Sequence, residues 1–279
     1  MPLTELVRHL NHRHALRGGE GRLDLVEGRA VLRVGDWLLG SEFQPVVDAR
    51  SGHAIGHEAR LAVQAGPAGL PSQALFLALE HVEAVIQVDR LCRHLHALNF
   101  LVEPARRGFL SLNVHPCTAA HWGVHPVTVL DPVLMRCGLL ADQLVLEFPD
   151  DGFGSALPLA AAIDACRREG HRVALDNFGR HSADLRRVEA LMPDIVKLDS
   201  SIIGHSGHLS LARRVLMGLA AEFRRMGVVA VCQWIENPLQ LQVARDVGVD
   251  WLQGRLLGRP TGRCVPVMPE IPLREPAAA

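Results

Sequence analysis

Polar side chains stand where several apolar segments of the chain end. Short apolar runs typical of buried β-strands end close to Asn113, Glu147, Asp176 and Lys197. Carboxylate and amide oxygens are the ligands that Mg²⁺ and similar hard cations prefer, and a lysine adds a positive charge suited to a phosphate. Brought together, these four side chains would form a site for a divalent cation and a phosphate ester.

The segments that must position these residues alternate between strand and helix patterns. The strand candidates are FQPVV, AIGHEARLAV, FLSLNVH, LVLEFP, RVALDNF, IVKLD, VVAVCQW and DWLQGRLLG, and helical patterns cover 74–98, 155–169, 182–191 and 209–226. Such alternation indicates parallel strands joined by crossover helices, and the number of units favours an α/β barrel of the TIM (β/α)8 type over an open sheet. In such barrels the carboxyl ends of the strands meet at one mouth, where active sites lie. We therefore expect the four polar residues to converge.

Three regions are predicted along the chain. Residues 1–16 have the pattern of a short helix, and RLDLVE and AVLRVG after it predict a hairpin. Residues 1–35 are too few to bury a core alone, so we interpret them as an N-terminal extension. Residues 36–265 form the predicted barrel domain, and residues 266–279 a flexible C-terminal tail.

The composition excludes several classes of protein. Hydrophobic residues make up 48% of the chain and charged residues 21%, which argues against disorder. The net charge is −1 with no long basic run, so neither nucleic acid nor an anionic membrane is an expected partner. No signal peptide and no run of 18 apolar residues is present, which predicts a cytoplasmic protein. The six cysteines are scattered and are interpreted as reduced, mostly buried thiols.

Six blocks in order resemble the EAL domain family, from about Phe43 to Pro260. They are FQPVVDARSGHAIGHEARL, LSLNVHP, LVLEFPDD, VALDNFG, MPDIVKLDSSII and VDWLQGRLLGRP. The resemblance implies a modified TIM barrel that binds cyclic di-GMP. In active members, Mg²⁺ or Mn²⁺ ions activate a water that cleaves one phosphodiester to give linear pGpG.

The resemblance also implies roles for individual residues. Lys197 would orient or activate the water, and Glu236 would be a further catalytic acid. The implied metal ligands are Glu58, Asn113, Glu147 and Asp176, and the implied nucleotide-binding residues are Gln44, Arg60, Gln253, Gly254, Arg259 and Pro260.

Two departures from the family pattern weaken the expected catalysis. Asn177 stands where the family has the second Asp of Asp-Asp-Phe-Gly, which weakens a second metal site because an amide carries no charge. Gln233 replaces the first Glu of Ala-Glu-Gly-Val-Glu and cannot serve as a general base, and Trp234 replaces the Gly. Since one change near a metal costs 10 to 100-fold in affinity or activity, we expect turnover at least about 10³-fold below that of active relatives. One metal site is expected and the second is in doubt.

A third departure lies in the Glu-Ala-Leu signature itself. Arg60 replaces the Leu, and Ala62 stands where active relatives carry an Arg that contacts the nucleotide. Strand residues two apart point the same way, so Arg60 would be able to reach the nucleotide phosphate that this Arg contacts. Alternatively, Arg60 would point to solvent or pair with a neighbouring acid. Trp234 would either stack on a guanine or plug the groove.

Three functions compete at this stage. The first is a degenerate, catalytically impaired signalling protein that acts by binding cyclic di-GMP, a protein partner or both. The second is an active metal-dependent cyclic di-GMP phosphodiesterase, and the third is a protein-interaction module that binds no nucleotide. Family members often dimerise, which the resemblance implies here as a homodimer.

Overall fold

The computed structural model describes residues 1–16, 20–67, 70–125, 129–150, 156–199, 202 and 209–265. The strands in this part are β1 Arg22–Val26, β2 Arg29–Val34, β3 Trp37–Asp48, β4 Ala54–Ala65, β5 Phe109–Asn113, β6 Leu144–Pro149, β7 Arg172–Phe178, β8 Ile195–Leu198, β9 Val229–Cys232 and β10 Trp251–Leu252. The helices are α1 Leu3–Ala15, α2 Gln73–Ala78, α3 Val82–Leu101, α4 Pro116–Trp122, α5 Pro132–Arg136, α6 Ala156–Arg168, α7 Leu185–Leu191, α8 Leu209–Met226 and α9 Pro238–Val247, with a 3₁₀ turn at Ala141–Gln143.

Eight strands close into a barrel. The hydrogen-bonded order runs β3-β10-β9-β8-β7-β6-β5-β4, and a further β3–β4 pairing closes the ring. β4 to β10 run parallel to one another, with helices following most of the strands. The predicted α/β barrel is therefore confirmed, including the closure that strand spacing alone cannot prove.

β3 is the one strand of the barrel that runs against the others. It pairs antiparallel with both β4 and β10. The sequence prediction of parallel strands is wrong here because only residues 49–53 separate β3 from β4. A parallel crossover needs about a dozen residues or more, whereas a short loop can join only antiparallel neighbours.

Alternation along the strands explains where the site lies. A small apolar cluster fills the barrel with side chains from several strands: Val46, Phe109, Val145, Ala174, Ile195 and Val231. Residues two further along a strand point to the same side. Moving two residues on from Val145, Ala174 and Ile195 gives Glu147, Asp176 and Lys197. The polar cluster therefore sits directly on the apolar floor of the barrel.

The N-terminal helix and hairpin are joined to the barrel. β1 pairs with β2 and β2 with β3, so the hairpin continues the barrel sheet. Leu6 and Leu10 of α1 pack into the main core. The buried Asn99 of α3 donates to the carbonyl of Ala30 at 2.9 Å and accepts from its amide at 2.8 Å. These two hydrogen bonds satisfy the buried backbone N–H and C=O of Ala30, which would otherwise be left unpaired where the hairpin packs against α3.

Several predicted segments differ from the structure in their bounds. The single helical pattern over 74–98 forms two helices, because Leu79 takes an extended backbone (φ −82°, ψ 121°) between α2 and α3. The strand predicted in DWLQGRLLG keeps only Trp251–Leu252, after which the chain turns. The predicted tail at 266–279 lies outside the described residues. In the described residues, the helices are too short or too polar to cross a membrane.

Candidate functional site

Lys197 lies at the centre of a buried cluster of acids. Its Nζ lies 2.6 Å from Oε1 of Glu147, 2.9 Å from Oε2 of Glu58 and 3.6 Å from Oδ1 of Asp176. The Lys197 side chain is only 3% exposed. Four strands, β4, β6, β7 and β8, supply one residue each. The structure thus brings together three of the four residues that the sequence predicted to converge, and adds Glu58, which the resemblance implied as a metal ligand.

Both oxygens of Glu58 are engaged by protein cations or donors. Oε2 accepts from Lys197 and from Nε2 of Gln253 at 2.7 Å. Arg60 faces the same carboxylate, with Nε 3.2 Å from Oε1 and Nη2 3.4 Å from Oε2. The third departure from the family pattern, Arg60, therefore pairs with a neighbouring acid.

Both oxygens of Asp176 are engaged by amides. Nε2 of Gln233 donates to Oδ1 at 2.9 Å, and Nδ2 of Asn177 donates to Oδ2 at 3.0 Å. A bulge in β7 between Leu175 and Phe178, with Asn177 at φ 59°, places the two side chains of Asp176 and Asn177 at the mouth. Two neutral amides thus converge on one carboxylate.

The acids respond differently to burial beside Lys197. Burial alone raises the pKa of Glu58, but the charges of Lys197 and Arg60 outweigh it and lower this pKa to about 2. Burial and the charge of Glu58 raise the pKa of Glu147 to about 7. Burial also raises the pKa of Asp176. One firmly ionised carboxylate therefore lies beside two that bind protons more readily.

Lys197 is held in its charged form. Burial favours the neutral amine, but Glu147, Glu58 and Asp176 outweigh this effect and raise the pKa of Lys197. An ammonium of raised pKa cannot accept a proton near neutral pH and can only donate hydrogen bonds. In this arrangement Lys197 can orient a water or a phosphate oxygen, and it cannot act as a general base.

A pocket of about 170 Å³ opens beside the acid cluster. Five of the predicted nucleotide-binding residues line it together with Gln233, Trp234 and Arg255; the five are Gln44, Arg60, Gln253, Gly254 and Pro260. The guanidinium of Arg60 lies over the ring of Trp234, with Cζ 5.6 Å from the ring centroid. Pockets for drug-sized ligands usually measure 300–1,000 Å³, so the Arg60–Trp234 pair leaves little room.

Three predicted residues are exposed rather than buried with Lys197. Asn113 is exposed and its amide donates to the carbonyl of Ala59 at 3.5 Å. Glu236 is exposed and pairs with Arg255 at 3.4 Å. Arg259 is exposed at the turn after β10. Their proposed roles in metal binding, catalysis and nucleotide binding stay predictions.

Composition holds one signal for the site that motif reading overlooks. The chain contains 29 Lys and Arg residues, and Lys197 is the only lysine among them. A chain that otherwise uses arginine throughout keeps a lysine where three acids surround it. A compact ammonium fits between three carboxylates, which a planar guanidinium would not match.

The donor atoms fit a divalent cation in their chemistry. Oε2 of Glu147 is buried without a hydrogen-bond partner, as are the Oε1 atoms of Gln233 and Gln253. Buried oxygens normally find a partner, and a hard cation would provide one. In the described part of the chain, however, His, Cys, Asp and Glu side chains form no group of three spaced to hold a metal. An ion at this site would therefore need Glu58 or Asp176 to leave its present donors.

Gly254 is required by close packing beside the pocket. A Cβ at this position would lie 2.2 Å from the backbone N and O atoms of Ile235. Gly254→Ala is therefore expected to lower the free energy of unfolding by about 1–3 kcal/mol, since the backbone must shift. Gly262→Ala is the matched control because nothing lies within 4 Å of a Cβ there. Equal urea midpoints for the two variants would contradict this account.

Comparison with known proteins places this geometry in a family. The family model for the EAL domain matches residues 38–260. The cyclic di-GMP phosphodiesterase PdeF of Escherichia coli K12 is 25% identical over 241 residues, covering 84% of this chain and 31% of that relative. The chain thus spans about a third of the length of this curated relative.

Solved structures agree with the fold. The structure "PaMucR Phosphodiesterase, c-di-GMP complex" has a TM-score of 0.68 and 25% identity, covering 80% of this chain and 91% of that chain. The Bacillus subtilis YkuI protein, solved with an EAL domain in complex with c-di-GMP and calcium, has a TM-score of 0.70 and 23% identity, covering 81% and 56%. With a family model matched over most of its length and a barrel of the same architecture, this chain belongs to the EAL domain family.

Proposed function

We propose that this chain binds cyclic di-GMP at the barrel mouth as a signalling protein whose hydrolysis is impaired. The observation that carries the proposal is the pair of amides on Asp176. Asn177 and Gln233 hold both of its oxygens, at 3.0 and 2.9 Å. Where active relatives have acids, this site has neutral amides that attract a cation less strongly than a carboxylate and accept no proton.

Nucleotide recognition is proposed to persist, and the support is that five of the residues expected to bind the nucleotide line one pocket. Gln44, Gln253 and Pro260 line the pocket, and Gly254 holds the turn beside it. Solved relatives with this fold are described as complexes with c-di-GMP. A dinucleotide is too large for a pocket of about 170 Å³, so the Arg60–Trp234 pair would move when it binds.

One Mg²⁺ or Mn²⁺ ion is part of this proposal. The buried Oε2 of Glu147, which has no hydrogen-bond partner, is one donor that such an ion would bind. Glu58 and Asp176 would complete the site by turning from their present partners. The ion would supply positive charge for a ligand phosphate, while Lys197 would orient that phosphate or a water. A second ion has less support because Asn177 carries no charge.

Calorimetry and product analysis on one sample test the proposal. We expect cyclic di-GMP to bind with a Kd in the micromolar range. Turnover to pGpG with Mn²⁺ should stay below about 10⁻² s⁻¹, some 10³-fold under a typical enzyme rate of about 10 s⁻¹. Titrations with EDTA and with Mn²⁺ show whether the ion contributes.

A substitution in the pocket tests whether cyclic di-GMP binds there. Gln44→Ala removes a buried amide at the pocket wall and should weaken binding by about 3- to 10-fold. Gln242→Ala, an exposed change on α9, should leave the affinity unchanged. Rates near 1 s⁻¹ would instead favour the active phosphodiesterase. Absence of binding would favour the interaction module, whose protein partner or second copy light scattering and pull-down would then have to reveal.

A further inference from the structure

Arg60 and Trp234 form a contact pair at the entrance to the acid cluster. Arg60 lies on β4, two residues after Glu58, and therefore points to the same side of the strand. Trp234 follows β9, and its ring lies under the Arg60 guanidinium at 5.6 Å. Strands β4 and β9 are not neighbours in the barrel, so this pair spans the mouth.

The guanidinium occupies the side of Glu58 that faces the pocket. Its Nε and Nη2 lie 3.2 and 3.4 Å from the two carboxylate oxygens. Lys197 and Gln253 take the other approaches, at 2.9 and 2.7 Å. A divalent cation that binds Glu58 must displace one of these three groups. Arg60 is the one with an exposed side, its side chain being 32% exposed against 3% for Lys197.

Trp234 is held in a backbone conformation that a bulky residue avoids. Its φ is 59°, in the left-handed region. This conformation costs an L-residue about 1–2 kcal/mol, and glycine adopts it freely. Strain of this kind persists where surrounding contacts maintain it, and the stacked guanidinium of Arg60 is such a contact.

We propose that Arg60, held in place by Trp234, is a built-in cation that competes with a divalent metal ion for Glu58. Lys197 and Arg60 then offset two of the three negative charges that Glu58, Glu147 and Asp176 can carry, without an ion. The metal site is closed by the protein's own side chain, and it opens when Arg60 moves away. This inference rests on the proposed function in taking Glu58 as a metal ligand.

Mn²⁺ alone, without nucleotide, tests the inference. Because Lys197 is the only lysine, protein grown with ¹³C-labelled lysine gives one side-chain signal that reports on this site. Mn²⁺ beside Lys197 broadens this signal far more strongly than Mn²⁺ bound at a surface histidine, because paramagnetic broadening falls with the sixth power of the distance. Titrating Mn²⁺ against the signal gives the Kd of this site in each variant.

Three variants separate the charge of Arg60 from its bulk. Arg60→Leu should lower the Kd for Mn²⁺ by about 10- to 100-fold. Arg60→Lys keeps the charge, so its Kd for Mn²⁺ should stay within a few-fold of that of the unchanged protein. Trp234→Gly frees Arg60 and should lower the Kd by roughly 2- to 5-fold, the range expected for one cation–π contact. Arg33→Leu is the matched control, since Arg33 pairs with Asp24 on a strand of the hairpin at 2.8 Å.

The outcomes separate this inference from the proposed function. Arg60→Leu and Arg33→Leu with the same Kd as the unchanged protein would overturn the inference, as would a lysine signal that Mn²⁺ leaves sharp in every variant. Equal increases in Mn²⁺ affinity in Arg60→Leu and Arg60→Lys would also overturn it, because loss of a structural contact, and not loss of the charge, would then explain the result. Cyclic di-GMP binding is measured separately, in EDTA and with Mn²⁺, and its absence under both conditions would overturn the proposed function alone.

Discussion

Replacing Lys197 by methionine should lower the free energy of unfolding by about 3–5 kcal/mol at pH 8, the cost of leaving buried charges without their partner. Three carboxylates lie within 3.6 Å of its Nζ, and its side chain is 3% exposed. Methionine fills similar space but offers no charge. Urea unfolding followed by circular dichroism measures the loss.

The loss should depend on pH in a definite direction. Burial and the charge of Glu58 raise the pKa of Glu147 to about 7 even beside Lys197. A carboxyl whose pKa is raised on folding contributes stability below its unfolded value, and this is lost as the pH rises through the folded value. Without Lys197 the acids hold their protons to still higher pH. The deficit of Lys197→Met should therefore be smaller at pH 6 than at pH 8.

A second substitution checks that charge, and not shape, causes this loss. Lys197→Met combined with Glu147→Gln removes one charge of each sign from the cluster. We expect the double variant to recover at least 1 kcal/mol of what Lys197→Met loses, a coupling of the size found between contacting residues. Additive losses in the two variants, with no pH dependence, would mean that packing and not charge governs this position.

The sequence predicted the barrel and the core of the site for the same physical reason. Period-two alternation places Glu147, Asp176 and Lys197 on the inner side of their strands, above apolar residues two positions earlier. Their meeting then follows from barrel geometry, since parallel strands end at one mouth. No comparison of distant segments was needed for this part of the prediction.

The parts that the sequence could not supply depend on contacts between distant segments. Arg60 follows Glu58 by two residues, but its stacking on Trp234 depends on how β4 and β9 face each other across the mouth. Likewise, Asn177 and Gln233 lie 56 positions apart, and only the folded chain brings both onto Asp176. Glu236 had the right chemistry, yet the chain after β9 turns it outward to Arg255.

Placing acids at positions 177 and 233 should make the thermal stability of the protein depend on a divalent metal ion. In Asn177→Asp/Gln233→Glu, Asp176 loses both amide donors and gains two carboxylate neighbours. Like charges within a few ångströms repel each other strongly when buried. We expect the double variant to unfold at lower temperature than the unchanged protein in EDTA and to recover in Mn²⁺, which binds the new carboxylates.

The same change should raise hydrolysis of cyclic di-GMP. Each restored acid is worth about 10 to 100-fold in metal affinity or activity, so a gain of roughly 10³-fold in pGpG formation with Mn²⁺ is expected. Asn237→Asp/Gln242→Glu is the matched control, since it makes the same two changes at exposed positions around α9, and Asp caps a helix as well as Asn. If both double variants stay equally inactive and equally indifferent to Mn²⁺, the two amides do not limit hydrolysis. A gain confined to the first variant, and lost when Glu58 is changed to Gln, would locate the recovered chemistry at the cluster around Lys197.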